Sequence, residues 1–230
     1  MLGDVAEPSP AVDLDVELRR RWSDLARDAG LDERAEHLVD ELLGRYAEPH
    51  RHHHDRRHLL DVLEAADLLS AGTTSVATRL AAWFHDAVYD GRAGTDEAES
   101  ADLARHALRH AGLDDATTQA VAAIVAATAG HLVPGDGPLV DPDTAVMLDA
   151  DLAILAAEPE RYARYAAGIR DEHPDVDDQA FRTGRQQALR TLIEREHLFH
   201  TEIGRSTLEP RARANVSREL VELSSAAGAD

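Results

Sequence analysis

At 230 residues the chain is long enough to bury a sizeable core and lies near the upper end of what one domain holds. It has no cysteine, so disulfides, a thiolate nucleophile and thiolate zinc sites are excluded; its 24 basic residues are all arginine, which excludes Schiff-base catalysis and the lysine of a phosphate-binding P-loop. Against 44 acidic residues the net charge is −20, which repels polyanions, so neither nucleic acid nor an anionic membrane is an expected partner.

The acidic start, MLGDVAEPSPAVDLD, is unlike a signal peptide, and no apolar run approaches the roughly 18 residues that cross a bilayer. The expectation is a cytoplasmic protein with one domain over residues 12–224 and flexible ends at 1–11 and 225–230. Apolar residues recur at helical spacing almost throughout, which predicts an all-α bundle. Leu14, Leu18, Trp22 and Leu25 form one stripe, Leu38, Leu42, Leu43 and Tyr46 a second, and Leu59, Val62, Leu63, Ala66 and Leu69 a third. The tetrad AGLD occurs at Ala29 to Asp32 and again at Ala111 to Asp114. Its glycine can end one helix and its aspartate cap the next, the punctuation of antiparallel helix hairpins. Further helices are predicted over 75–90, 97–110, 115–130, 144–157, 159–171, 177–198 and 206–224, with the Pro- and Gly-rich stretch 131–143 as a loop that could form a lid or rim.

Three stretches could carry chemistry. The first, EPHRHHHDRRH over residues 48–58, is internal and interrupted, so it is not a purification tag. If its helix begins near His53, His54 and His58 lie four apart on one face. His50 and His52 read as a solvated helix start, and the equally spaced His106 and His110 as a polar face. The second, AAWFHDAVYD over 81–90, delivers His85 and Asp86 at the end of a strongly apolar segment, where an unpaired carboxylate costs several kcal/mol; Asp86 therefore needs an ion pair, a cap or a cation. The third, MLDADLAIL over 147–155, sets Asp149 and Asp151 two apart, so only one of them enters a given site. Any metal here is held by nitrogen and oxygen.

A histidine helix, then His-Asp, then an aspartate in ADL is an order that resembles the HD superfamily of metal-dependent phosphohydrolases. The likeness is closer to one bacterial HD family of about this length, with YHNxxHI, WFHDxVYD, NExxSA, IxxTxxH-like, DxDLxIL and ARxN elements. Here these correspond to His53 to Leu59, Trp83 to Asp90, Asp96 to Ala101, Ile124 to His131, Asp149 to Leu155 and Ala212 to Asn215. His53 and Asp55 replace the family tyrosine and asparagine, and Asp96 another asparagine. The resemblance implies a helical bundle in which His58, His85, Asp86 and Asp151 hold a divalent ion, Mn, Fe, Co, Mg or Zn. A hydroxide on that ion would attack a nucleotide or another small phosphate ester. By likeness to cyclic-nucleotide phosphodiesterases, His54 is the general acid, with Asp55 a candidate hydrogen-bond partner for its imidazole. Arg51, Arg170 and Arg213 are candidates for stabilising developing anionic charge, and His131, Glu97 and Asp149 for a second metal or for orienting the first. Tyr165, Arg185 and Asn215 read as contacts between helices.

Other readings fit less of the chain. HDRRH as a variant HExxH peptidase site leaves His85 and Asp86 unexplained. A di-iron carboxylate bundle needs two Glu-x-x-His pairs, and only Glu194 with His197 fits. A non-catalytic nucleotide- or metal-binding HD module, and an HD oxygenase with two irons, remain open.

Overall fold

The computed structural model describes residues 13–132 and 141–226. The expected flexible ends and most of the 131–143 loop lie outside these residues, although 225 and 226 continue the last helix. Among the described residues there are ten α-helices and no strand, the all-α bundle expected. They are α1 (Leu14–Asp28), α2 (Ala35–Arg45), α3 (Arg56–Leu69), α4 (Val76–Phe84), α5 (Thr95–His110), α6 (Asp115–Ala127), α7 (Pro142–Asp151), α8 (Pro159–Asp171), α9 (Asp178–Ile193) and α10 (Glu209–Ala226). Among the described residues no helix is long and apolar enough to cross a membrane.

The three predicted stripes bury together with α4 and α6 in a first core, where Trp22 meets Trp83 edge to face with centroids 5.0 Å apart. A second, smaller core gathers Tyr162, Leu189 and Val216 from α8, α9 and α10 with Leu155, after α7, and Phe199, before α10, and Leu208 packs against both cores. The chain passes from the first core to the second at the end of α7, where Asp151 sits. Both AGLD turns work as read at the glycine: Gly30 and Gly112 take φ of 67° and 86°. The two turns also touch each other, since the Asp32 N–H donates to the Ala111 carbonyl at 3.0 Å.

Four helices are shorter than predicted, each for a local reason. α9 stops at Ile193, five residues before the expected 198, where Arg213 takes the carbonyls of Ile193, Arg195 and Glu196. α3 starts at Arg56 rather than near His53, because the Asp55 side chain caps the N–H groups of Arg57 and His58. α4 stops at Phe84, six residues early, because acceptors and donors elsewhere in the fold satisfy the backbone of 85–92, as described below. The predicted 144–157 helix splits at Asp151 into α7 and a tight 3-10 turn, Leu152–Ala156.

Candidate metal centre

Four side chains from three segments converge. His58 lies in the first turn of α3, His85 caps the end of α4, Asp86 follows it, and Asp151 ends α7. Their ligand atoms all lie within 4.8 Å of one another. His58 Nε2 and His85 Nε2 face each other at 3.1 Å. Asp86 Oδ2 is 3.0 Å from His85 Nε2 and 3.3 Å from His58 Nε2; Asp151 Oδ1 is 3.2 Å from His58 Nε2 and 3.6 Å from His85 Nε2. An ion with bonds of about 2.1 Å spaces adjacent donors about 3 Å apart in an octahedron and about 3.4 Å in a tetrahedron, so this spacing suits a divalent cation.

Hydrogen bonding and charge support the same fit. His85 Nδ1 contacts the Ala82 carbonyl at 2.9 Å, an acceptor only, so Nδ1 carries the hydrogen and Nε2 is left as a lone-pair donor. Asp86 Oδ2 is buried and receives no aligned hydrogen bond, despite its proximity to both rings. A buried carboxylate oxygen in that state is costly unless a cation lies beside it. Burial pushes the carboxyls of Asp86 and Asp151 up, yet the facing His85 overcomes it and holds both well below the ordinary range. Burial opposes protonation of His58, but its contacts with Asp151 and Asp86 raise its pKa to about 9. Burial opposes protonation of His85 too, but the same carboxylates raise its pKa well above the ordinary value. Two imidazoles and two carboxylates around one point, without thiolate, are a donor set for Mn, Fe, Co, Mg or Zn.

The His-Asp turn is shaped by residues that the sequence cast in other roles. Arg51 does not face the cluster. Its buried guanidinium donates to the carbonyls of Asp86 at 2.7 Å and His54 at 3.1 Å and pairs with Glu48, so it ties two site segments together. Ser100 Oγ accepts from the Val88 N–H, and Asp96 Oδ2 accepts from those of Asp90 and Arg92. Glu97 closes the start of α5 by accepting from the Gly94 N–H at 2.5 Å and has no contact with the cluster. Arg170 binds the carbonyls of His173 and Val176, and Arg213 those of Ile193, Arg195 and Glu196. Both close helix ends instead of facing the site.

His54 precedes α3 in a turn, yet its ring centroid lies 5.4 Å from that of His58. Asp55 caps α3 and takes no imidazole, contrary to the expected pairing. The partner of His54 is Glu172, which sequence reasoning missed. Its shielded side chain receives five hydrogen bonds. Oε1 accepts from the N–H groups of His52, His53 and His54 at 2.8, 2.7 and 2.9 Å, and Oε2 takes His54 Nδ1 at 2.7 Å and the Tyr89 hydroxyl at 2.9 Å. The carboxylate only accepts, so Nδ1 of His54 carries the hydrogen, and Nε2 is the ring nitrogen without a partner among the described residues. Burial pushes the Glu172 carboxyl up, and its bonds to His54 and to the His53 and His54 amides more than reverse that, leaving it far below the usual range.

One face of α8 serves this turn, with Arg161, Tyr165, Gly168 and Glu172 at helical spacing. Gly168 is the closest approach: a Cβ there would lie 2.9 Å from the His52 carbonyl oxygen and 3.2 Å from His53 Cβ. Backbone cannot swing aside as a side chain can. Gly168→Ala is therefore expected to destabilise the protein by about 1–3 kcal/mol and to displace the His52–His54 turn; an unchanged denaturant midpoint would refute the contact.

Asp149 and Asp151 diverge, as their spacing requires. Asp149 is buried away from the cluster and accepts from the N–H groups of His200 and Thr201 and from the Thr201 hydroxyl, each at 2.7 Å, so it anchors the segment before α10 and not a metal. Burial raises its carboxyl pKa. His131 borders the site: its Nε2 lies 2.9 Å from Asp151 Oδ2, the oxygen turned away from His58 and His85. His106 and His110 are exposed, and Asn215 holds the carbonyls of Leu155 and Ala157, both as read. Comparison of the chain with family models, curated proteins and solved structures finds no match.

Proposed function

We propose that the protein is a metal-dependent phosphohydrolase of the HD type acting on a nucleotide or another small phosphate ester. The observation that carries this reading is the convergence of His58, His85, Asp86 and Asp151 around one point beside an imidazole, His54, whose outer nitrogen is set by Glu172. Those four side chains would hold a divalent ion, which would supply Lewis acidity and lower the pKa of a water beside the substrate. In its imidazolium form, with Nδ1–H held by the Glu172 carboxylate, His54 is placed to give the second ring proton, on Nε2, to the leaving oxygen and to return to the neutral ring. Arg51 keeps the turns bearing His54 and Asp86 in register.

The test is metal content per chain by mass spectrometry on tag-free protein after a mild chelator wash, wild type against Asp86→Ala. The wash removes ions from exposed imidazoles such as His52. About one equivalent or more in wild type, lost in a folded Asp86→Ala variant, is expected, followed by hydrolysis in a phosphate-ester screen with that metal. Equal metal in both proteins, or none after reloading, would remove the hydrolase reading in favour of a binding module. The contact of His131 with the outer oxygen of Asp151 favours one second reading, a two-iron oxygenase. It requires two irons per chain and oxygen uptake with turnover.

A further inference from the structure

We infer that the cavity between the start of α3 and α8 is a subsite for a second phosphoryl group of the substrate, distinct from the one at the metal cluster. This rests on the phosphohydrolase reading for the group at the cluster.

The cavity holds about 360 Å³ and has the ligand His58 in its wall, so it opens directly beside the four converging side chains. That volume is at the lower edge of the roughly 300–1,000 Å³ of small-molecule sites. Its opposite walls carry Arg57 from α3 and Arg161 and Arg164 from α8. Three guanidiniums face two carboxylates, Asp55 and Asp61, so the lining is net positive in a chain of net charge −20. Asp55 is already engaged in capping α3. Asp61 is shared between Arg57, at 3.2 Å, and Arg161. One carboxylate cannot use the donors of two guanidiniums, each with five N–H groups. Arg164 has neither a hydrogen bond nor an ion pair among the described residues, and it is exposed at the cavity mouth.

Planar guanidiniums match phosphate oxygens two at a time, and a site assembled from them without lysine selects a phosphoryl group by geometry as well as charge. Tyr165 and His53, in edge-to-face contact at 4.6 Å, close the side toward His58. The His53 ring in turn lies 4.7 Å from that of His58, which joins this wall to the cluster. The substrate class this selects carries at least two phosphoryl groups, such as a nucleoside di- or triphosphate or a bisphosphate, in preference to a simple monoester.

The experiment is calorimetric titration of the metal-loaded full chain with inorganic orthophosphate, pyrophosphate and tripolyphosphate, with protein-bound metal measured after each run. Wild type is compared with Arg164→Gln, Arg161→Gln and Asp86→Ala. Wild type is expected to bind pyrophosphate or tripolyphosphate about tenfold or more tighter than orthophosphate, and Arg164→Gln to lose most of that increment while orthophosphate affinity stays within about twofold. Because Arg164 is exposed and partnerless, the variant tests the subsite without disturbing the fold; Arg161→Gln should act in the same direction. An increment that survives both arginine variants, or an equal loss for all three probes, overturns the subsite. Retention of every affinity in Asp86→Ala overturns instead the placement of a phosphoryl group at the metal cluster, whatever the arginine variants do.

Discussion

Glu172→Ala is expected to lower the melting temperature by roughly 6–12 °C. The truncation removes an acceptor shared by three consecutive backbone N–H groups, an imidazole and a phenol. Leaving such donors without their buried anion costs about 3 kcal/mol, and in a chain of this size each kcal/mol moves the midpoint by about 2–4 °C. Glu172→Gln separates holding the turn from setting the ring. The amide oxygen can still accept the backbone N–H groups, but its NH2 then faces His54 and drives the ring hydrogen from Nδ1 to Nε2. Imidazole nitrogen chemical shifts read that exchange directly, and a purely structural role for Glu172 would leave the tautomer unchanged. Acid titration gives an independent readout. Because the native carboxyl is depressed, its stabilisation is fully present above the unfolded value of 4.5 and is lost as the pH falls toward the native value. Wild type should therefore lose stability below pH 4.5 with a slope that Glu172→Gln lacks. An alanine variant that melts within a degree of wild type would sink this assignment.

What could be read in the sequence follows from how local each signal is. His85, Asp86 and the pair Asp149 and Asp151 stood out because charged residues in the apolar runs AAWFHD and MLDADLAIL need a reason to be there, and it was the resemblance to the HD superfamily that implied the set His58, His85, Asp86 and Asp151. The split between Asp149 and Asp151 was legible because two residues on a helix are about 200° apart. Glu172 was not, since it lies 118 residues from His54, in a stretch whose charge reads as solvated surface. A local trace existed: Arg161, Tyr165, Gly168 and Glu172 share a helix face, with a glycine where close packing would need one. The early end of α4 left no trace, because no glycine or proline lies between Val76 and Asp90, and the turn is held by Arg51, Ser100 and Asp96 from other segments. Arg51 itself looked like a phosphate ligand because a guanidinium that binds carbonyls has no sequence signature. Asp55 carried a readable cap signal, an aspartate just before an apolar helix, which the family likeness drew toward the imidazole instead.

Metal loading is expected to stabilise wild type strongly and the Asp86→Asn variant hardly at all. At a hundred to a thousand times Kd, a ligand specific to the native state adds about 2.7–4.1 kcal/mol, or roughly 5–15 °C in midpoint for a chain of this length. In the metal-free protein, two carboxylates and two imidazoles within 4.8 Å offset one another only partly, and Asp86 Oδ2 has no aligned donor. Removing that charge should still cost the metal-free protein about 3 kcal/mol, because His58 and His85 lose the carboxylate that faces them. The metal-free loss alone therefore decides nothing, and the ion-dependent part does. A cluster that is only an ion-pair network makes the opposite forecast for that part. Asp86→Asn would then cost about 3–5 kcal/mol with or without metal, because it breaks a buried pair, and added Mn, Fe, Co, Mg or Zn would leave the wild-type midpoint where it was. Melting both proteins with and without each ion gives the four numbers of a thermodynamic cycle, and the coupling between substitution and ion is the quantity that differs. A coupling near the full ion-induced gain assigns the four side chains to a metal, and a coupling near zero assigns them to the fold.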